Sequence, residues 1–197
     1  VSARPPGTGK SAFLRWLAEQ AGLEVIQKRA SDLLSPWVGD TEQRIAAAFA
    51  EAREAQAFLI FDEADSLLAD RREASRSWEI SQVNEMLTWM ESHPAPFACT
   101  TNLDGRLDAA ASRRFLVKAR FGFLEAEQVR LAWTLFFDGD PPPELARLDR
   151  LTPADFALVK RQAELEGRME PDWLLERLDG EVAAKGEGGS RIGFQLA

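Results

Sequence analysis

A lysine and a serine stand side by side at the end of a glycine-rich octapeptide, RPPGTGKS, residues 4–11. Those residue types at that spacing suit the grip of a phosphate chain. Gly7 and Gly9 let the backbone curl so that successive N–H groups point inward at phosphate oxygens. Pro6, Gly7, Thr8 and Gly9 are therefore candidates to line the phosphates. Lys10 would reach the β- and γ-phosphates, and the Ser11 hydroxyl would ligate Mg²⁺. A helix that begins there adds the positive end of its dipole. The pattern G-x-x-x-x-G-K-[ST] is not met in full, because Arg4 stands where its first glycine belongs. The alternative is a Gly/Pro turn that caps a helix, and the octapeptide alone does not choose between them.

Two carboxylates follow an apolar run in FLIFDE, residues 58–63. A buried strand would hold Asp62 at its carboxyl end, at the sheet edge where ligands bind in open α/β folds. There it can hold Mg²⁺ through water, and Glu63 can orient or deprotonate an attacking water. Alternatively, both residues merely cap a following helix, ADSLL. A phosphate loop roughly 50 residues upstream weighs against that reading. Asn102, in CTTNLDGRLDAAASRRF (99–115), ends a further strand, where its amide can bind the γ-phosphate or the lytic water. Its other reading is a turn residue. Arg113 and Arg114 close a short helix, with solvated surface charge as the alternative.

The elements that must position these residues are legible from periodicity. KSAFLRWLAEQ (10–20) puts Phe13, Leu14 and Leu17 on one helical face. Helices are expected over 41–55, with Asp40 as cap, and over 78–91. Strands are expected at 23–27, 58–62, 96–100 and 116–123, with a strand remnant at Val1–Ala3. Strands alternating with helices define a parallel sheet with helices on both faces. From Glu125 the pattern becomes wholly helical: Val129, Ala132, Trp133, Phe136 and Phe137 share one face, and further helices are expected at 153–164 and 171–184. The expected division is an α/β core over 1–123, a helical domain over 124–184 and a glycine-rich tail over 185–197, in which Ile192 and Phe194 could dock.

Composition narrows the classes. The chain has 197 residues, 45% hydrophobic and 28% charged, with a formal net charge of −8. Such an acidic chain is expected to be a poor general nucleic-acid binder, because phosphate neutralisation needs a basic face, although a local basic patch could still exist. No apolar run approaches the roughly 20 residues that span a bilayer. The single cysteine excludes an internal disulfide and suits a cytoplasmic location. One histidine and one cysteine leave a zinc site without its ligands. His93 reads as a turn residue and Cys99 as an inert strand residue.

RPPGTGKS, SDLLSPWVGDTEQRI, FLIFDEADSLL, TTNLDGRLDAAASRRF and LTPADFALVKRQA stand in the order and spacing of an AAA ATPase module. The chain resembles the AAA branch that includes katanin, spastin and their bacterial relatives, up to about residue 180. The resemblance implies a parallel P-loop NTPase sheet flanked by helices, followed by a small helical lid. It implies ATP or ADP with Mg²⁺ as cofactors, and ATP hydrolysis as the activity. Lys10 and Ser11 fall in Walker A; Asp62 and Glu63 form Walker B, with Glu63 the catalytic base; Asn102 matches sensor 1. Arg113 and Arg114 match arginine fingers, which reach a neighbouring subunit's ATP, so a homo-oligomeric, hexameric ring is implied. A finger of this kind is worth roughly 10³ to 10⁵ in rate. Trp37 and Val38, in SPWVG (35–39), match a pore loop that grips a polypeptide substrate; the bland reading has Trp37 folded back on the core. Residues 69–77, ADRREASRS, fall where a second pore loop lies, and its arginines either meet acidic substrate segments or are simply solvated. Ala154, in the segment Thr152–Asp155, falls where the family meets adenine and ribose.

Two departures from the family stand out. Arg4 replaces a glycine, and the family carries a further segment before the phosphate loop, so the chain reads as a fragment or a shortened module. The competing function is a nucleotide-binding regulatory or structural module with little turnover. A small-molecule phosphotransferase would share only the phosphate loop.

Overall fold

The computed structural model describes residues 7–102 and 107–186. The expectations placed on Val1–Ala3, Arg4, Pro6 and the tail from residue 187, Ile192 and Phe194 included, lie outside the described residues. Two compact units divide the chain between Arg120 and Phe121, with Gly7–Gly9 belonging to the second.

The first unit is a three-stranded parallel sheet with order β1-β2-β3 among the described residues: β1 Val25–Arg29, β2 Phe58–Asp62 and β3 Phe97–Cys99. Its principal helices are α1 (Lys10–Gln20), α2 (Ala30–Leu33), α3 (Asp40–Glu54), α4 (Ser77–Ser92) and α5 (Ala109–Arg114). β2 is apolar throughout because both its faces are covered. Leu59 and Phe61 pack with Phe49, Met86 and Leu87 of the flanking helices, while Phe58 and Ile60 pack on the opposite side with Ala18 of α1. The period-2 alternation of a strand thus divides one pentapeptide between two cores. Side chains fix the helix starts. Glu79 accepts from the backbone N–H of Ser75 (2.7 Å) and Arg76 (3.2 Å). Asp108 accepts from the N–H of Ala110 at 2.8 Å, as an N-cap should.

The second unit is helical: α6 (Ala126–Phe137), a 3₁₀ turn at Pro143–Arg147, α7 (Pro153–Glu166) and α8 (Pro171–Gly186). Trp133, Phe156, Leu151 and Leu178 are buried in its own core. The architecture is thus the expected α/β sheet with a helical C-terminal part.

Several local expectations are corrected. The strand expected at 116–123 does not form: Leu116 and Val117 are 101% and 83% exposed. β1 begins two residues later than expected, because the Leu23 N–H bonds back to the Ala18 carbonyl (2.9 Å) and closes the end of α1. Gly39, at φ 86°, rather than Asp40, precedes α3, and Asp40 instead pairs with Arg44 at 2.8 Å. Residues 63–68 form successive turns and not a helix, so Asp62 and Glu63 cap nothing there. α8 runs two residues beyond the expected end at 184.

Candidate functional site

Asp62 ends β2 and is the centre of a polar cluster. Its Oδ1 accepts from Ser11 Oγ (2.8 Å) and Thr100 Oγ1 (2.5 Å), and its Oδ2 accepts from Gln27 Nε2 (2.9 Å). Arg15 Nε in turn donates to Gln27 Oε1 at 2.9 Å. The sheet makes this possible: in the β1–β2 register Gln27 lies opposite Ile60 and Arg29 opposite Asp62. Burial works against the charge on Asp62. Hydrogen bonds from Thr100, Ser11 and Gln27, with Arg15 nearby, outweigh it and hold the carboxyl below its ordinary range. A charged carboxylate beside a serine hydroxyl is a pair of hard oxygen donors, which fits Mg²⁺.

Glu63 adopts a left-handed backbone at φ 55°, uncommon for a residue with a side chain. Its N–H donates to Thr100 Oγ1 at 3.0 Å, so one threonine hydroxyl braces both acidic residues. The side chain of Glu63 is exposed. Such backbone strain clusters at functional sites.

Lys10, the first residue of α1, donates from Nζ to Asn102 Oδ1 at 2.7 Å. Asn102 is itself held, its N–H donating to Asp65 Oδ1 at 3.2 Å, and Thr101 Oγ1 also donates to Asp65. Side-chain hydrogen bonds thus pair Lys10 with Asn102, 92 residues away, and its neighbour Ser11 with Asp62, with Glu63 adjacent in sequence.

Gly7 and Gly9 are both left-handed, at φ 77° and 87°. A Cβ on Gly7 would stand 2.5 Å from Ala154 Cβ, and the Gly7 carbonyl accepts from the Ala154 N–H at 3.1 Å. Between the two glycines, Thr8 Oγ1 is buried with no partner. An orphaned hydroxyl in a loop that only glycines can form fits a phosphate ligand.

The arginine pair is divided. Arg114 is tied within the chain, its guanidinium bonding Glu91 and, at 3.0 Å, the Ala110 carbonyl. Arg113 is exposed. Trp37 and Val38 are 76% and 86% exposed, on a loop between α2 and α3, so Trp37 is not folded onto the core. In the 69–77 stretch, Arg71 pairs with Asp108 at 2.8 Å and Arg72 with Asp70 at 2.5 Å.

Sequence reasoning missed Gln27, Thr100 and Asp65. Polar residues at a strand's interior or end were the available signal: Gln27 inside VIQKR, and Thr100-Thr101 directly after PFAC. Their partners are distant in sequence, so pattern alone could not assign them.

The parallel sheet, the glycine loop opening α1 and the acidic end of β2 have the arrangement of a P-loop α/β domain. The AAA profile, described as the ATPase family associated with various cellular activities, matches residues 3–123, and the chain belongs to that family. Among curated relatives, the chain is 32% identical over 167 residues to y4kL of Sinorhizobium fredii, described as an uncharacterized AAA family ATPase; the match covers 81% of this chain and 51% of the relative. It is 34% identical over 160 residues to spastin of Sus scrofa (75% and 26%). It is 32% identical over 152 residues to protein suppressor of K(+) transport growth defect 1 of Arabidopsis thaliana (74% and 35%). The chain thus spans about half the length of the first relative and about a quarter of spastin. No helix among the described residues is long and apolar enough to cross a membrane.

Proposed function

We propose that this chain is the ATP-hydrolysing part of a cytoplasmic, ring-forming motor that remodels or threads a polypeptide. The pairing of Lys10 with Asn102 and of Ser11 with Asp62 carries the reading. Mg²⁺-ATP, when bound, supplies the phosphoanhydride whose hydrolysis drives the work. Gly7, Thr8, Gly9 and Lys10 hold its phosphates, with Pro6 at the loop's start, and Ser11 and Asp62 hold the metal. Ala154, at the start of α7, belongs with the adenine and ribose end. Glu63 accepts the proton of the attacking water on its carboxylate, and Asn102 aligns the water or the γ-phosphate. Arg113, exposed, reaches the neighbouring subunit's nucleotide, while Arg114 fastens α5 to α4 through Glu91. The exposure of Trp37 and Val38 supports their contact with substrate in a hexameric ring.

The test is phosphate release by wild type and Glu63→Gln beside ATP binding by each. The amide fits the carboxylate's place but cannot take a proton, so binding should persist and turnover should vanish. Turnover near the wild-type rate in Glu63→Gln would remove the catalytic assignment. Wild-type protein that assembles and binds ATP without hydrolysing it would favour the regulatory nucleotide-binding module.

A further inference from the structure

The face of the sheet that α1 covers carries a glutamine. Residues alternate along a strand, so Asp62 shares the side of β2 on which Phe58 and Ile60 pack with Leu14 and Ala18 of α1. Gln27 stands opposite Ile60 in the β1–β2 register, and therefore on that same side. A half-buried amide among apolar neighbours gives up water and needs partners in exchange. Gln27 has one at each end: its Nε2 donates to Asp62 Oδ2, and its Oε1 accepts from Arg15 Nε, both at 2.9 Å.

Chemistry fixes the order of these three groups. A guanidinium only donates and an ionised carboxylate only accepts. Arg15 thus pins the carbonyl end of Gln27 and turns its NH₂ end to Asp62. The two oxygens of Asp62 are then differently employed. Oδ2 is held by Gln27, while Oδ1 meets the hydroxyls of Ser11 (2.8 Å) and Thr100 (2.5 Å). Ser11 is the other residue assigned to the metal, so Oδ1 is the oxygen beside it. Turning the carboxylate would break bonds at both oxygens, one of them to a half-buried amide that would be left unpaired.

We propose that Arg15 and Gln27 are positioning residues that make this site selective for Mg²⁺ over Ca²⁺. The proposal rests on the assignment of Ser11 and Asp62 to the metal and deepens it. Mg²⁺ demands a near-ideal octahedral shell and keeps several waters, so it favours an acceptor fixed in direction. Ca²⁺ has a flexible shell and accepts both oxygens of one carboxylate. While Gln27 holds Oδ2, Asp62 offers Oδ1 in one fixed direction. Without Gln27 the carboxylate is free to turn and offer both.

Binding of a fluorescent, hydrolysis-resistant ATP analogue to the full chain tests it, measured in Mg²⁺, in Ca²⁺ and in EDTA. Wild type should bind several-fold more tightly with Mg²⁺ than with Ca²⁺. Loss of a group that orients a metal ligand costs about 10- to 100-fold in metal affinity, so Gln27→Leu should reduce the Mg²⁺-to-Ca²⁺ preference by roughly tenfold. Arg15→Met should reduce it in the same direction by less, and Arg15→Lys, which still only donates, should restore most of it. Affinity in EDTA should stay the same in all four proteins, which a merely structural role would not ensure. Arg15 is exposed, so its variants carry the test even if Gln27→Leu does not fold. A preference unchanged in Gln27→Leu and Arg15→Met, or losses equal in Mg²⁺, Ca²⁺ and EDTA, would overturn the positioning role and leave the metal assignment standing. Wild-type binding that is the same in Mg²⁺ and EDTA would overturn both.

Discussion

Thr100 shows how much one side chain can do at a strand end. Its hydroxyl donates to Asp62 and accepts from the Glu63 N–H, while its backbone continues the β2–β3 ladder through the Phe61 carbonyl at 2.9 Å. The carboxylate proposed to hold the metal and the strained residue proposed as the base are thereby both braced by one threonine. His93 illustrates the opposite case, a polar group buried without reward. Its Nε2 has no partner, and its ring packs 5.0 Å from Phe49 and 6.3 Å from Phe97. Burial, and then the nearby charge of Arg53, lower its pKa. The unfolded chain therefore binds this proton more readily than the native state. Its contribution to stability is full above the unfolded value of about 6.5 and is lost as pH falls from there toward the lower folded value. Urea midpoints measured from pH 8 to pH 5.5 should fall across that window. Because the chain has a single histidine, His93→Phe should flatten the fall. A slope unchanged in that variant would place the pH sensitivity elsewhere.

At the level of elements, glycine and capping chemistry set where helices begin. α7 starts with Thr152 bonded to Asp155, the Thr152 N–H and Oγ1 both donating to Asp155 Oδ2 at 2.6 and 2.9 Å. That start packs against Gly7 so closely that no side chain fits. Gly7→Ala should lose stability twice, through a left-handed backbone worth about 1–2 kcal/mol and through a clash with Ala154. Gly167, at φ 65° with open space around it, is the control in the same unit and should show only the backbone part. Thermal midpoints should therefore drop further for Gly7→Ala than for Gly167→Ala. Equal drops would mean that the close approach to Ala154 contributes nothing.

For the whole molecule, the proposed finger requires a second subunit. Arg114 is occupied by Glu91 and the Ala110 carbonyl, so the trans role falls to Arg113. Arg113→Ala should bind ATP but hydrolyse it poorly. Mixed with Glu63→Gln subunits it should regain activity, at interfaces where an intact finger meets an intact base. Wild-type activity should also rise with protein concentration more steeply than first order as rings form. A linear dependence with no rescue in the mixture would mean that the arginines act within one chain or not at all, and the ring reading would fall.

The sequence by itself determined what depends on local order. The alternation in FLIFD, the 3.6-residue spacing of α3, α4 and α6, and the glycines flanking Thr8 each follow from neighbours along the chain. The candidate set Lys10, Ser11, Asp62, Glu63 and Asn102 came from residue types and from the resemblance of five blocks in register. What the sequence could not supply was partnership across distance. Residues 116–123 have a strand's composition and form no strand, since composition by itself does not set the backbone. Gln27 reads as an ordinary strand residue until the register lays β1 beside Asp62. Two adjacent arginines look alike until Glu91, from another helix, takes one of them. Only the tertiary structure brings such partners together, because each contact joins residues that local periodicity treats as unrelated.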